Sequence, residues 1–162
     1  MFADFSADYN GKTQKPTLTV TIKKKKLSSS SYNVTWPKKS VNPGTYQVTV
    51  KLKGSYSGTK TVKYKILPKG TTLKKLKAKK RQLIVTWKKQ AKEITGYEIS
   101  YSTDARFKGA KTVTVKGAKK VKAKIKKLKK RKVYYVRIRT YKMVGRTKLC
   151  SVWSKAKKMK VK

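Results

Sequence analysis

The chain is 162 residues long and carries 47 lysines and arginines against five acids and no histidine, a formal net charge of +42. That length holds one ordinary domain or two small ones, and ten tyrosines and three tryptophans among 37% hydrophobic residues supply the large side chains from which small β domains build cores. A single cysteine, Cys150, excludes an intrachain disulfide, and no apolar run approaches the roughly 20 residues that a membrane-crossing helix needs.

The charge runs through nearly every predicted strand and turn rather than gathering in a tail, so a disordered basic arm is a poor description. At 0.15 M salt the screening length is about 8 Å, so neighbouring cations on a small body repel one another. Stabilisation by salt or by a bound polyanion is the expectation.

The first ten residues, M-F-A-D-F-S-A-D-Y-N, have no basic start and no apolar core, so they do not read as a signal peptide. An exported form is therefore expected to belong to a longer chain. Asn10-Gly11 predicts a turn. From Pro16, Leu18, Val20 and Ile22 alternate with threonines as a strand, followed by a loop of Lys23 to Lys26 and Ser28 to Ser31. Tyr32, Val34 and Trp36 alternate next and stop at Pro37. Asn42-Pro43-Gly44 is a strong turn before Tyr46, Val48, Val50 and Leu52. Gly54 to Gly58 turns the chain again, and Val62, Tyr64 and Ile66 end the series. Leu67-Pro68-Lys69-Gly70 reads as a short linker, which places two domains at 1–68 and 69–162.

The second series starts with Leu73 and Leu76, then Leu83, Val85 and Trp87 after the basic turn Lys79-Lys80-Arg81. Tyr97, Ile99 and Tyr101 follow Gly96, then Val113 with Val115, then Val121, Ala123 and Ile125. Leu128 closes that run. A basic tip follows, and Tyr134, Val136, Ile138 and Thr140 then alternate with Tyr135, Arg137, Arg139 and Tyr141, the pattern of a half-buried strand. Met143 to Lys148 reads as a loop, with a last strand after Trp153. No 3.6-residue stripe persists, so the fold class is all-β, two tandem immunoglobulin-like sandwiches.

The second half resembles a fibronectin type III domain. L-I-V-T-W with its tryptophan Trp87, G-Y-E-I-S-Y with its tyrosine Tyr97, Leu128 six residues before Tyr134, and S-V-W-S around Trp153 stand in the order of that family. The resemblance implies that Leu128 and Tyr134 form a tyrosine corner, the hydroxyl bonded to backbone and the ring packed beneath. It also implies that Trp153 lies against Arg137 and Arg139. The first half resembles a bacterial immunoglobulin-like surface repeat, through Y-N-G-K-x-x-K-P, Y-N-V-T-W with Trp36, N-P-G-T-Y-Q-V-T-V and G-S-Y-S-G-T-K-T-V. Such modules stand in tandem in wall-associated proteins of Gram-positive bacteria, so the resemblance implies an extracellular, bacterial cell-surface location.

Catalysis needs a group that exchanges a proton, attacks or holds a metal. The carboxylates are too sparse for a pair, and Glu93, Glu98 and Asp104 are scattered around the third strand of the second half, where Glu98 is expected to point away from the core and Asp104 to cap a turn. Neither a metal ligand set nor a cofactor site is legible. Cys150 reads as a partly buried, inert thiol. Trp87, Tyr97, Tyr134 and Trp153 read as core rather than ligand platforms, while Tyr135 and Tyr141, on the opposite face, are expected to offer a surface contact. No enzyme is expected.

The lysines carry the functional question, because a solvated surface normally mixes signs. The tip formed by Lys126, Lys127, Lys129, Lys130, Arg131 and Lys132 is the first place to expect a polyanion. Teichoic acids, sulfated or sialylated glycans and nucleic acid all qualify as partners. The leading reading is a spacer and adhesion stalk on a cell surface, beside neighbouring domains of a longer chain; the alternative is a sequence-nonspecific nucleic-acid-binding protein. No recognition helix, zinc finger or RNA-reading strand is present to specify bases.

Overall fold

The computed structural model describes residues 5–162; Asp4 and the first residues of the N-terminal stretch lie outside the described residues. The chain is all-β, and its one helical element among the described residues is a 3₁₀ turn at Ser29–Ser31, capped by the Ser28 side chain. It divides into two compact units, one ending at Leu67 and the other running Pro68–Lys162.

The first unit contains β1 (Phe5–Asp8), β2 (Thr21–Ile22), β3 (Lys25–Lys26), β4 (Tyr32–Thr35), β5 (Gly44–Leu52) and β6 (Thr59–Leu67). Four of these form a sheet in the order β1-β6-β5-β4, with β1 parallel to β6 and the rest antiparallel. Its core is aromatic. Tyr64 is buried between Phe5, stacked at 5.5 Å, and Tyr46, stacked at 5.5 Å, while Trp36 meets it edge-on at 5.4 Å. Trp36 is half-buried and stands beyond the end of β4.

The strand expected from Pro16 to Ile22 is reduced to a two-residue pairing of β2 with β3. Pro16 removes one ladder donor, and Gln14 instead donates its backbone N–H to Ser40. The alternation still sorts the side chains: Val20 is buried with Leu27 and Val50, and Leu18 and Ile22 pack against them. Part of the predicted loop is itself a hairpin, turned by Lys23 and Lys24 at φ 45° and 65°.

The second unit contains β7 (Leu73–Lys79), β8 (Gln82–Trp87), β9 (Gly96–Ser102), β10 (Lys111–Lys116), β11 (Lys122–Ile125), β12 (Val133–Val144), β13 (Thr147–Cys150) and β14 (Lys157–Lys160). One sheet has the order β11-β8-β7; the other has the order β10-β9-β12-β13, with β14 also paired to β12. Leu76, Leu83, Val85, Trp87 and Ile125 from the first sheet meet Tyr97, Ile99, Val136 and Ile138 from the second in one buried cluster. Leu73 and Leu76 are three residues apart and would fall on opposite faces of a regular strand. A register shift between Leu73 and Lys75 returns both to the core.

One expectation is corrected. Met143 to Lys148 is not a loop: β12 runs on to Val144 and returns as β13 through a turn at Gly145, φ 56°. Leu67 to Gly70, read as a short linker, spans the boundary between the two units, and its carbonyls are engaged on each side. The Leu67 carbonyl accepts from Tyr9 in the first unit. In the second, the Lys69 carbonyl accepts from the Thr140 hydroxyl at 2.8 Å and the Gly70 carbonyl from the Gln90 amide at 2.9 Å.

Candidate functional site

Two faces of the second unit carry its polar chemistry, and the corner between the sheets joins them. Leu128 is 3% exposed, and its backbone N–H donates to the Arg81 carbonyl. The Tyr134 ring is buried, and its hydroxyl accepts from the Lys129 N–H at 3.1 Å. Trp87 and Tyr97 pack together further along the sandwich, ring centroids 5.1 Å apart, with the Tyr97 hydroxyl accepting from the Gln90 N–H and its one proton shared between the Gln90 and Ala118 carbonyls, both at 2.8 Å. The corner thus fixes the loop that follows β11.

That loop holds Lys126, Lys127, Lys129, Lys130, Arg131 and Lys132, all exposed. Its backbone is clamped to the C-terminal segment, because Arg131 donates to the Val161 carbonyl and Val161 to the Lys132 carbonyl, each at 3.0 Å. Lys127 and Arg131 both adopt φ 58°, in the left-handed region, on either side of the buried Leu128. None of the six forms an ion pair among the described residues. Arg81 joins them from the β7–β8 turn, its Nε 3.4 Å from the Leu128 carbonyl.

The outward face of β9 and β12 is built differently. Arg139 sits opposite Glu98 and Arg137 opposite Ser100. The Arg137 guanidinium is held between the rings of Phe107, 4.0 Å away, and Trp153, 4.7 Å away; Arg139 lies 4.2 Å over the same tryptophan. Arg137 Nε is buried with no hydrogen-bond partner among the described residues, and burial followed by the neighbouring Arg139 lowers the Arg137 pKa. Trp153 is half-buried, so it acts as a lid on the arginines rather than as core.

Glu98 shares this outward face, yet it is 5% exposed and not isolated. Its carboxylate lies 2.7 Å from Arg139 and 2.9 Å from Lys148, with the Cys150 thiol 3.9 Å away. Burial works to raise the Glu98 pKa, but hydrogen bonds from Lys148 and Arg139, with their charge, outweigh it and hold the carboxyl below its usual value. The same contact raises the Lys148 pKa, chiefly through its hydrogen bond to Glu98. Burial pushes the Cys150 thiol up, which favours its protonated form.

Tyr141 also departs from the expectation of a surface contact. It is 3% exposed because Gly96 opposite leaves it room; a Cβ on Gly96 would stand 3.0 Å from the tyrosine ring. Tyr135 remains half-buried. Asp104 caps its turn, its carboxylate accepting from the backbone N–H of Arg106 at 2.7 Å. Among the described residues no three His, Cys, Asp or Glu side chains gather closely enough to hold a metal.

A fibronectin type III domain model matches residues 68–154. The chain belongs to the fibronectin type III family. Fibronectin type III domains are typically non-catalytic structural or binding modules, usually extracellular, and among the described residues no helix is long and apolar enough to cross a membrane. The chain is similar to the FN1–FN3 domains of chicken CNTN1 at 19% identity and a TM-score of 0.49, over 75% of this chain and 44% of that one. It is also similar to a solved structure described as a myokine, at 17% identity and a TM-score of 0.43, over 56% of this chain and 90% of that one. The chain thus spans less than half the length of the CNTN1 fragment. No curated protein is matched by the chain.

Proposed function

We propose that this chain is a non-enzymatic pair of β-sandwich modules from a bacterial cell-surface protein, acting as spacer and adhesion stalk, with a cationic surface that holds anionic wall polymers or host glycans. The first unit is read as a bacterial immunoglobulin-like surface repeat, on the motifs around Tyr9 to Pro16, Trp36 and Asn42 to Val50. The observation that carries the electrostatic part is the separation of charge from folding. The core and the corner use none of the cationic groups of the 126–132 loop, yet six cations stand there on a clamped backbone without a carboxylate partner among the described residues. Uncompensated cations self-repel, and a polyanion that displaces counterions relieves that repulsion.

Isotherms on immobilised poly(glycerol phosphate), a sulfated polysaccharide and duplex DNA, at 50 and 200 mM salt, test the proposal. Tight binding to the first or second, weakening steeply with salt, is the expected result. Preference for DNA at matched charge would favour the nucleic-acid reading. Binding indifferent to salt, or no binding to any polymer, would overturn the electrostatic part.

A further inference from the structure

The cationic loop does not merely offer diffuse charge; it forms one wall of a cavity. The cavity has a volume of 330 Å³ and lies between the Ser102–Lys111 segment and residues 127–129. Lys108, Lys111, Lys127 and Lys129 line it, and no carboxylate does. The nearest acid in sequence, Asp104, has its Oδ1 engaged by the backbone N–H groups of Arg106 and Lys108. Tyr101 forms a rigid side of the cavity, its ring tilted against that of Tyr134 at 6.2 Å.

The two phenols at the cavity differ in how their hydroxyls are used. Tyr134 spends its hydroxyl on the Lys129 N–H and so belongs to the corner. The Tyr101 hydroxyl makes no hydrogen bond among the described residues, although its ring is half-buried and lines the cavity. That hydroxyl is not among the buried unpartnered polar atoms, so it opens onto the cavity, where it can donate to a bound group.

Resting on the reading of the protein as a polyanion binder, we infer that this cavity is a site for one sulfate or phosphate ester group of the polymer, with Tyr101 as a hydrogen-bond donor and the four lysines as counter-charge. Four ammonium groups and a phenol converge without an acid, which suits a group that stays ionised and accepts from several directions: a sulfate ester offers three terminal oxygens and a phosphate diester two, each tetrahedrally disposed. Burial, and secondarily Tyr134, raise the Tyr101 pKa, so the phenol keeps its proton and serves as a donor. Lys127 also lines a neighbouring, more open cavity with Lys80, Arg81 and Lys126. A second anionic group of the same polymer is placed there, which makes Lys127 the bridge between successive charges.

The full-length chain is titrated with two probes, a sulfated disaccharide and a short glycerol-phosphate oligomer, by calorimetry and by amide chemical shifts. The variants are Tyr101→Phe, the triple change Lys108→Gln, Lys111→Gln and Lys129→Gln, and a charge-matched control on β7, Lys74→Gln, Lys75→Gln and Lys77→Gln. Tyr101→Phe is expected to leave the melting temperature unchanged and to weaken one or both probes about ten-fold, as expected for a hydrogen bond to a charged group. The triple cavity variant loses binding, while the control changes by less than about three-fold. A loss confined to one probe identifies the source as glycan or wall polymer, and a loss of both assigns the site to the ionised ester group that the two share. Wild-type affinity in Tyr101→Phe, with the cavity triple no weaker than the control, overturns the inference while leaving polymer binding intact. Failure of both probes on a chain that still binds the polymers likewise removes this site alone. Failure of the polymers as well removes the parent reading.

Discussion

Glu98→Gln separates the structural cations of the second unit from the free ones. The substitution keeps the shape of the side chain but removes the charge that Arg139 and Lys148 share. It also places an amide N–H₂ where three donors, Arg139, Lys148 and the Cys150 thiol, now point at a carboxylate. The Glu98 side chain is 6% exposed, but those of Arg139 and Lys148 are 28% and 43% exposed, so water screens part of the loss. Breaking a fully buried pair costs 3–5 kcal/mol and an exposed one under 1; the geometry between these limits gives about 2 kcal/mol. In a domain of this size that is a fall of about 8–15 °C in melting temperature, read by calorimetry on the intact chain. The pH dependence carries a second signature. Because the folded pKa lies below the ordinary value of 4.5, the carboxylate's stabilisation is fully present above that value and is lost as pH falls through it toward the folded pKa. Glu98→Gln removes that slope. A variant within about 0.5 kcal/mol of the parent, with its acid slope intact, would refute the reasoning.

Three further outcomes follow from the same geometry. Tyr134→Phe, which strips the acceptor from the Lys129 N–H, is expected to cost about 1 kcal/mol in urea denaturation. Gly96→Ala places a Cβ 2.2 Å from the Val115 carbonyl oxygen and 3.0 Å from Tyr141; overpacking at a buried strand position predicts a loss of about 3 kcal/mol, seen as a lowered denaturation midpoint. Raising sodium chloride from 0.05 to 0.5 M is expected to raise the melting temperature, since screening relieves self-repulsion; a melting temperature that falls would count against it.

The strand β12 was legible because its period of two is written in β-branched and aromatic residues, and because Leu128 stands six residues before Tyr134. What alternation supplies is a side, not whether that side is covered. Glu98 and Tyr141 both lie on the outward face, as alternation says, but Arg139 and Lys148 roof the first and Gly96 makes room for the second. Gly96 opposite an aromatic was the available signal, since a strand glycine often marks close approach. The Pro16–Ile22 stretch failed for the complementary reason: its side chains sort correctly, but strand pairing needs a partner that local pattern does not specify. The 126–132 loop was readable as charge alone. Its backbone clamp, from Arg131 and Lys132 to Val161, and the cavity wall supplied by Tyr101 involve residues distant in sequence.

If the loop cations serve binding and not folding, they can be removed without harm to the fold. Lys126, Lys129, Lys130 and Lys132 are changed together to glutamine, which preserves the backbone bonds at Lys129 and Lys132. Melting temperature and affinity for poly(glycerol phosphate) and for the sulfated polysaccharide are then measured on the same preparation. A melting temperature equal to or above that of the parent, with affinity lost for whichever polymer the parent binds, is the expected pair of results. Affinity retained in a folded variant, or a fold that collapses with the charges, would contradict the assignment of this loop as the binding surface.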